Sequence, residues 1–327
     1  MNPKTDGIHH YDESFETQKS LVDRSNISNK NKKIILDFDK QCNLERLSKP
    51  RRMKLMSVLT IVARDYLKKD FDKVKIEDLK NVIAKINDKE NYSIWTKQSY
   101  SVILKKFYSW LEYKEDYKQK VRINGYPKII SWINTNIKQK DLPKVRASDI
   151  LTENEIERLI KAANHPRDKA FISLLYELGA RISEIGNLDK KSLVKDQYGY
   201  LIDIKGKTGQ RTPRVVMSDM YLTNWLNQHP IDDENAPLWI QKNKNSYKKM
   251  DYGALRALLL RLKDKANIKK RLYPHLFRHT RVTHLLLNRQ INETQAKIYF
   301  GWVPQSRELS TYQHLLSADV NDTILEI

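Results

Sequence analysis

The chain has 327 residues, enough for two domains of ordinary size, and carries 60 lysines and arginines against 40 aspartates and glutamates, a net charge of +20. Its single cysteine, Cys42, excludes an internal disulfide and any zinc site built on several thiolates. The sequence contains no run of about 18 apolar residues, which excludes an ordinary transmembrane helix.

The excess of positive charge predicts a polyanionic partner, because self-repulsion on this scale otherwise only weakens the folded state. Nucleic acid is the first candidate for that partner, and an anionic membrane surface is the second. The first 25 residues are polar and mixed in charge, without the apolar core of a secretory signal. We therefore expect a cytoplasmic protein in which residues 1–25 form a disordered arm.

Residues 26–137 show the repeat of apolar side chains that is typical of amphipathic helices. One stripe runs from Leu55 through Leu59 and Val62 to Tyr66, and two similar stripes follow. Such helices are predicted to pack as a small bundle with a cationic exterior. Charged faces are usual on solvated helices, so no single charged face here indicates DNA binding by itself. The candidate DNA contacts of this domain are the basic residues off the stripes: Arg51, Arg52, Lys54, Lys97 and Lys105.

Residues 138–150 are polar and basic and contain Pro143, which is typical of a linker between domains. Helical patterns resume over residues 151–327, beginning with a capping box at 152–155. Two short strand-like segments flank a glycine-containing turn at 205–210, and further helices follow. The sequence thus predicts a mainly α protein with a small β-sheet, in which a helical domain precedes a mixed α/β domain.

Several short segments of the second domain carry side chains suited to phosphate chemistry. Arg181 follows a predicted helix stop at Gly179, with Glu184 three residues further on. Taken alone, this arginine is more simply a surface cation paired with the nearby carboxylate.

A second candidate, Lys207, lies in the glycine-containing turn, whose spacing is not that of a phosphate-binding P-loop. A lysine at a hairpin tip is ordinarily just solvated, but such a tip can reach into a DNA groove. Arg211, at the end of the same turn, is a further candidate DNA contact.

The remaining candidates lie towards the end of the chain. His275 and Arg278 are three residues apart at the start of a predicted helix and share a face, and His279 follows. We expect no metal there, because no third ligand occurs at a familiar spacing and a guanidinium repels cations. Trp302 and Tyr312 follow predicted helix ends, where such residues are more often core or cap than catalyst.

In this order and at these separations, the segments resemble the catalytic domain of the tyrosine recombinases, also called the phage integrase family. The helical bundle before them resembles the SAM-like core-binding domain of that family. Trp302 stands where histidine is commoner, and the Tyr312-x-His314-Leu315 pattern looks like that of archaeal or archaeal-virus members. The resemblance implies supporting roles for Glu184 and His279, and catalytic roles for Arg181, Lys207, His275, Arg278, Trp302 and Tyr312.

The resemblance implies DNA strand transfer through a 3′-phosphotyrosine on Tyr312, without metal or cofactor. The two arginines would bind the non-bridging phosphate oxygens, and Trp302 would donate its indole N–H or close the site. Lys207 would protonate the leaving 5′-oxygen, while His275 would handle the tyrosine proton. Glu184 and His279 would orient the arginines. The implied partner is double-stranded DNA, on which a free monomer would assemble as a homotetramer. Both a mobile-element or viral integrase and a chromosome-dimer resolvase fit the pattern.

Two other functions fit part of the pattern. A type IB topoisomerase needs a similar set of catalytic residues, but it acts alone and does not assemble on two sites. A basic helical DNA-binding protein without catalysis would explain the charge and the domain layout. It would not require Tyr312 together with Arg181 and Arg278.

Overall fold

The computed structural model describes residues 7–138, 141, 146–206, 209–288, 290–306 and 308–312. The chain divides into two compact units, one of residues 10–143 and one that joins residues 1–9 to residues 144–327. The division after residue 143 lies inside the stretch predicted as a linker, part of which is outside the described residues.

The unit of residues 10–143 is built from helices around an aromatic centre. Phe107 is fully buried there, and its ring meets those of Phe38 and Phe71 edge-on, with ring centroids 5.3 and 4.7 Å apart. The predicted stripe of Leu55, Leu59 and Val62 lies in this core. The helices are α1 (Tyr11–Arg24), α2 (Asn29–Leu44), α3 (Lys49–Ile61), α4 (Ile76–Asn87), α5 (Ile94–Tyr113), α6 (Tyr117–Asn124) and α7 (Lys128–Ser131).

The predicted disordered arm over residues 1–25 is wrong for the part that the structure describes. Helix α1 packs against α3 and buries Phe15 and Val22. Ile8, just before α1 in the chain, belongs to the unit that joins residues 1–9 to residues 144–327, and it is 1 % exposed in the core of that unit. Its carbonyl accepts a hydrogen bond from the backbone N–H of Tyr252. The segment carries too few apolar residues for a visible helical period, so its polar composition was misleading. Residues 1–6 lie outside the described residues.

The second unit is mainly helical, and α9 is its centre. Nearly every residue of α9 from Ala170 to Leu178 is buried, because α8, α11 and α13 pack around it. The helices of this unit are α8 (Glu153–Ala162), α9 (Pro166–Leu178), α10 (Ile182–Gly186), α11 (Asp219–Asn227), α12 (Tyr252–Lys265), α13 (Pro274–Leu287) and α14 (Glu293–Tyr299).

Short antiparallel strands complete this unit. β1, β2 and β5 form one sheet, while β3 with β4 and β6 with β7 form two hairpins. The β6–β7 hairpin was not predicted. The strands are β1 (Leu193–Asp196), β2 (Gly199–Ile202), β3 (Ile204–Gly206), β4 (Gly209–Arg211), β5 (Arg214–Val215), β6 (Ile240–Asn243) and β7 (Ser246–Lys249). The predicted fold class, mainly α with a small β-sheet, is confirmed.

Among the described residues, no helix has both the length and the apolar character needed to cross a bilayer. The same residues contain no group of three or more histidine, cysteine or acidic side chains that could hold a metal ion.

Candidate active site

The first part of the site is the junction between α9 and α10. Gly179 ends α9 in the left-handed conformation (φ 51°), and the chain turns so that Arg181 becomes the N-cap of α10. The guanidinium of Arg181 donates to Oε1 of Glu184 at 2.9 Å, and its backbone N–H donates to Oε2 at 3.1 Å. Because the Arg181 side chain is still 32 % exposed, it can also reach a ligand.

Glu184 is buried at the centre of this junction and binds a second arginine. Its Oε2 accepts a hydrogen bond from Nη2 of Arg211 at 2.9 Å. Burial raises the pKa of Glu184, but the hydrogen bonds and charges of Arg211 and Arg181 outweigh it and hold the pKa below its usual range. The carboxylate is therefore ionised and accepts hydrogen bonds from the guanidinium groups of Arg181 and Arg211.

Arg211 was predicted as a DNA contact, and the structure corrects this prediction. Its side chain is only 11 % exposed and lies inside the cluster, where Nε donates to the carbonyl of Tyr299 at 3.1 Å. The charge partner, Glu184, is 27 residues away in sequence, so no local pattern could reveal the pair.

Arg278 is the most deeply buried cation of the cluster, at 3 % exposure on α13. It donates to the carbonyl of Gly179 at 3.1 Å and to that of Phe300 at 2.9 Å. Its guanidinium carbon lies 5.0 Å from the ring centroid of Trp302. Burial and the charge of Arg181 lower the pKa of Arg278 to about 10, so it stays charged at neutral pH.

Tyr312 is 2 % exposed and is held by a histidine. Its hydroxyl lies 2.5 Å from Nδ1 of His279, and the two ring centroids are 5.7 Å apart. Burial raises the pKa of the Tyr312 phenol above its usual range, while the charge of Arg278 opposes this rise. The phenol is therefore neutral in this arrangement and must lose a proton before it can attack.

The two histidines differ in their surroundings. Burial and the neighbouring His275 lower the pKa of His279 to about 4, so its ring is neutral at pH 7. His279 was predicted to orient the arginines, and the structure instead places it on Tyr312. His275 is exposed at the start of α13, 5.1 Å from the His279 ring. Partial desolvation and the charges of Arg278 and Arg181 lower the pKa of His275.

The cluster contains two buried donors without a hydrogen-bond partner among the described residues, Nε1 of Trp302 and Nη1 of Arg211. A buried polar group left unpaired costs about 1–3 kcal/mol, so such donors are rare unless they serve a ligand. Nη1 of Arg211 is packed against Gly301, whereas the indole N–H of Trp302, beside several guanidinium groups, suits an anion with several oxygens, such as a phosphodiester.

Lys207 lies outside the described residues. The strand before it ends at the site, because a Cβ on Gly206 would lie 2.5 Å from Oε1 of Glu184. Gly206 pairs with Gly209 on the other strand, so these ends of β3 and β4 lie beside the arginine residues.

Residues 149–318, slightly more than half of the chain, match the model of the phage integrase family. The chain belongs to the phage integrase family. The match covers the segments that hold Arg181, Arg278 and Tyr312, so the predicted family is confirmed.

Curated relatives of this integrase-family chain are tyrosine recombinases. Tyrosine recombinase XerA of Pyrococcus horikoshii is 30% identical over 148 residues, which are 45% of this chain and 49% of the relative. The XerA of Saccharolobus solfataricus is 25% identical over 84% of this chain and 86% of its own length. The chain spans about half the length of the first curated relatives that it matches.

Solved structures share the fold of this family member. The Tn1549 transposon integrase in complex with transposon right end DNA matches with a TM-score of 0.62 at 20% identity, covering 90% of this chain and 99% of that one. The XerH site-specific recombinase bound to a palindromic difH substrate matches with a TM-score of 0.60 at 18% identity, covering 96% and 95%. The integrase fold predicted for the chain is therefore confirmed.

The other predicted DNA contacts lie in the helical unit, and the structure corrects one of them. Arg52 is buried and donates through Nε and Nη2 to the two carboxylate oxygens of Asp39, at 2.8 and 2.7 Å. It also donates to Asn43 and lies 4.5 Å from the ring centroid of Phe15. All of its donor groups thus serve the interior of the unit, and Arg52 is a structural residue.

The four remaining candidates keep some exposure. Lys54 is exposed and Arg51 is partly exposed. Lys97 and Lys105 are also partly exposed, although their ammonium groups donate to backbone carbonyls of Asn87 and Ile133. That these four residues contact DNA stays a prediction.

Proposed function

We propose that the chain is a site-specific DNA recombinase that cuts and rejoins DNA through a covalent bond to Tyr312. The observation that carries this proposal is the buried cluster in which a histidine-bound tyrosine lies beside a charged arginine and the unpartnered indole N–H of Trp302. A nucleophile, fixed cations and free donors are the components that phosphoryl transfer requires.

In the proposed reaction, the oxygen of Tyr312 attacks the scissile phosphorus and forms a P–O bond to the enzyme. The bond from phosphorus to the 5′-oxygen breaks, which leaves a 3′-phosphotyrosine and a free 5′-hydroxyl. Arg181 and Arg278 bind the non-bridging oxygens, and the indole N–H of Trp302 adds a donor. A 5′-hydroxyl from another strand reverses these steps and rejoins the DNA.

Two proton transfers accompany this exchange. His279 holds the phenol while it is buried, and His275, exposed beside the arginines, accepts the proton when the phenol reaches the phosphate. Lys207 gives a proton to the leaving 5′-oxygen. We assign no metal and no cofactor to either step, since the guanidinium groups supply the positive charge.

A type IB topoisomerase-like strand transferase is the second candidate, because it would use the same residues. Membership of the phage integrase family and a separate helical unit favour recombination. A purely DNA-binding protein would have no use for a buried tyrosine and an unpaired indole donor among arginines. We place the protein in the cytoplasm, on DNA, with Arg51, Lys54, Lys97 and Lys105 as proposed contacts.

The covalent intermediate provides the test of this function. Sheared genomic DNA from the source organism is incubated with the protein, the reaction is stopped with detergent, and protein-bound DNA is recovered and sequenced. We expect the attached ends to share one sequence, with blocked 3′ ends and free 5′-hydroxyls, and mass spectrometry to find the nucleotide on Tyr312. If no DNA is attached, or if it is attached elsewhere, the proposal fails.

Recombination also requires assembly, and we propose a free monomer that forms a homotetramer on two DNA sites. The tail at 313–327, outside the described residues, carries Leu316, Val320, Ile324 and Ile327 at helical spacing. The spacing predicts a short helix, which would be marginal alone in water, and we expect it to dock on another surface.

Deleting residues 320–327 is expected to prevent tetramer formation on paired sites while binding to a single site persists. Analytical ultracentrifugation with one-site and two-site DNA measures both states. The matched control replaces the acidic residues Asp319 and Asp322 with asparagine, which keeps the apolar face. Normal assembly of the truncated protein would show that the tail docks on its own catalytic unit.

A further inference from the structure

Arg211 connects three parts of the candidate site. It lies on β4, where it pairs with Ile204 of β3. Its Nη2 binds Glu184 at 2.9 Å, and its Nε binds the carbonyl of Tyr299 at 3.1 Å, two residues before Gly301. Its Nη1 is packed so closely against Gly301 (φ 63°) that a Cβ there would lie 2.7 Å away.

The contacts of Glu184 show why this connection matters for Arg181. The buried carboxylate uses Oε1 to hold the guanidinium of Arg181, and Oε2 accepts from Arg211 and from the backbone N–H of Arg181. A bidentate arrangement of this kind fixes the plane of the carboxylate and therefore the direction of the Arg181 side chain. If Arg211 were lost, the carboxylate could rotate or take up a proton.

We propose that Arg211 is a positioning residue for strand transfer: it holds the Glu184 carboxylate, and through it the Arg181 guanidinium, in the place where the scissile phosphate binds. This inference rests on the proposed function. A displacement of about 1 Å at a reacting group can lower a rate on the order of 10²-fold, so a residue that touches no substrate can still be decisive.

The charged groups around Glu184 predict how removing Arg211 would change the pH dependence of cleavage. Arg181 at the start of α10, Arg211 on β4 and Arg278 on α13 surround the carboxylate. With all three present, the pKa of Glu184 lies below its usual range, so the wild type stays ionised over the working pH range. Without Arg211, burial raises the pKa of Glu184, and the active carboxylate is lost as pH falls through the raised pKa.

The experiment measures single-turnover cleavage of a nicked duplex, built from the recovered target sequence, from about pH 6 to about pH 9. Arg211→Met removes the charge and keeps the volume; we expect cleavage to fall on the order of 10²-fold near neutral pH, with an additional loss towards low pH. Arg211→Lys keeps a charge beside Glu184 and is expected to restore part of the rate and the flat profile. Adding Glu184→Gln to Arg211→Met should abolish the acid-side loss, because no carboxyl group remains to titrate.

The matched control is Arg214→Met on β5, which removes a partly exposed arginine paired with Asp196 and should leave cleavage unchanged. Wild-type cleavage by Arg211→Met, or a slower rate whose pH profile parallels that of the wild type, would overturn the inference. If Arg211→Met does not fold, the cleavage rate and the pH profile of Arg211→Gln are measured instead and are interpreted in the same way. Absence of a covalent complex with the wild type would instead remove the proposed function itself.

Discussion

Replacing Tyr312 with phenylalanine is expected to abolish the covalent protein–DNA complex while DNA binding is retained. The substitution removes the one oxygen that is proposed to attack phosphorus. The ring itself remains in its apolar surroundings with Trp302 and Leu309. The lost hydrogen bond to His279 costs about 1 kcal/mol, too little to unfold a typical unit.

A nicked duplex and a denaturing gel measure this result, and a gel-shift assay measures binding. The chain supplies a matched control, because Tyr176 and His284 form a second tyrosine–histidine pair, 2.8 Å apart, outside the candidate site. Tyr176→Phe should lose a similar hydrogen bond and still cleave. A covalent band that persists in Tyr312→Phe would identify another nucleophile.

Removing Arg181 or Arg278, the arginines proposed to bind the phosphate, is expected to lower cleavage by about 10²–10³-fold, the usual effect of losing one strong electrostatic contact in a transition state. The two variants should differ in stability. Arg181→Ala removes a side chain that is one-third exposed, and Glu184 keeps Arg211 as a partner. Arg278→Ala leaves the carbonyls of Gly179 and Phe300 without their donors, at about 1–3 kcal/mol each, so its melting temperature should fall as well.

Single-turnover cleavage and thermal melting separate these two effects. Arg261→Ala is the control, because Arg261 lies on the surface of α12 and its guanidinium pairs with Asp168. We expect it to cleave normally, and wild-type cleavage should continue in EDTA. Near-normal cleavage by Arg181→Ala or Arg278→Ala would contradict the assigned roles, and inhibition by EDTA would contradict the metal-free chemistry.

The sequence was sufficient for the overall architecture and for choosing candidate site residues. The stripe of Leu55, Leu59 and Val62 is buried as predicted, since helical period depends on local spacing alone. The candidates Arg181, Arg278 and Tyr312 could be chosen because their types and order match a family whose model then matched the chain.

The pairing of side chains could not be predicted, because it depends on how distant segments pack. Arg52 reads as one more basic residue on a helix until the fold brings Asp39 against it. His279 and Tyr312 are 33 residues apart, and only the packing of the last segments brings them together. The β6–β7 hairpin escaped prediction because its strands are rich in lysine and asparagine, which strands usually disfavour.

The buried position of Ile8 determines when the unit of residues 1–9 and 144–327 can finish folding during synthesis. Ile8 is synthesised long before Tyr252, the residue whose backbone N–H donates a hydrogen bond to the Ile8 carbonyl. The unit therefore cannot complete its core until the helical unit and most of its own helices have been translated. Full burial of an isoleucine is worth about 1.5–3 kcal/mol, a large part of the roughly 5–15 kcal/mol that stabilises a typical domain. A chain shortened to begin at the linker would lack this contribution.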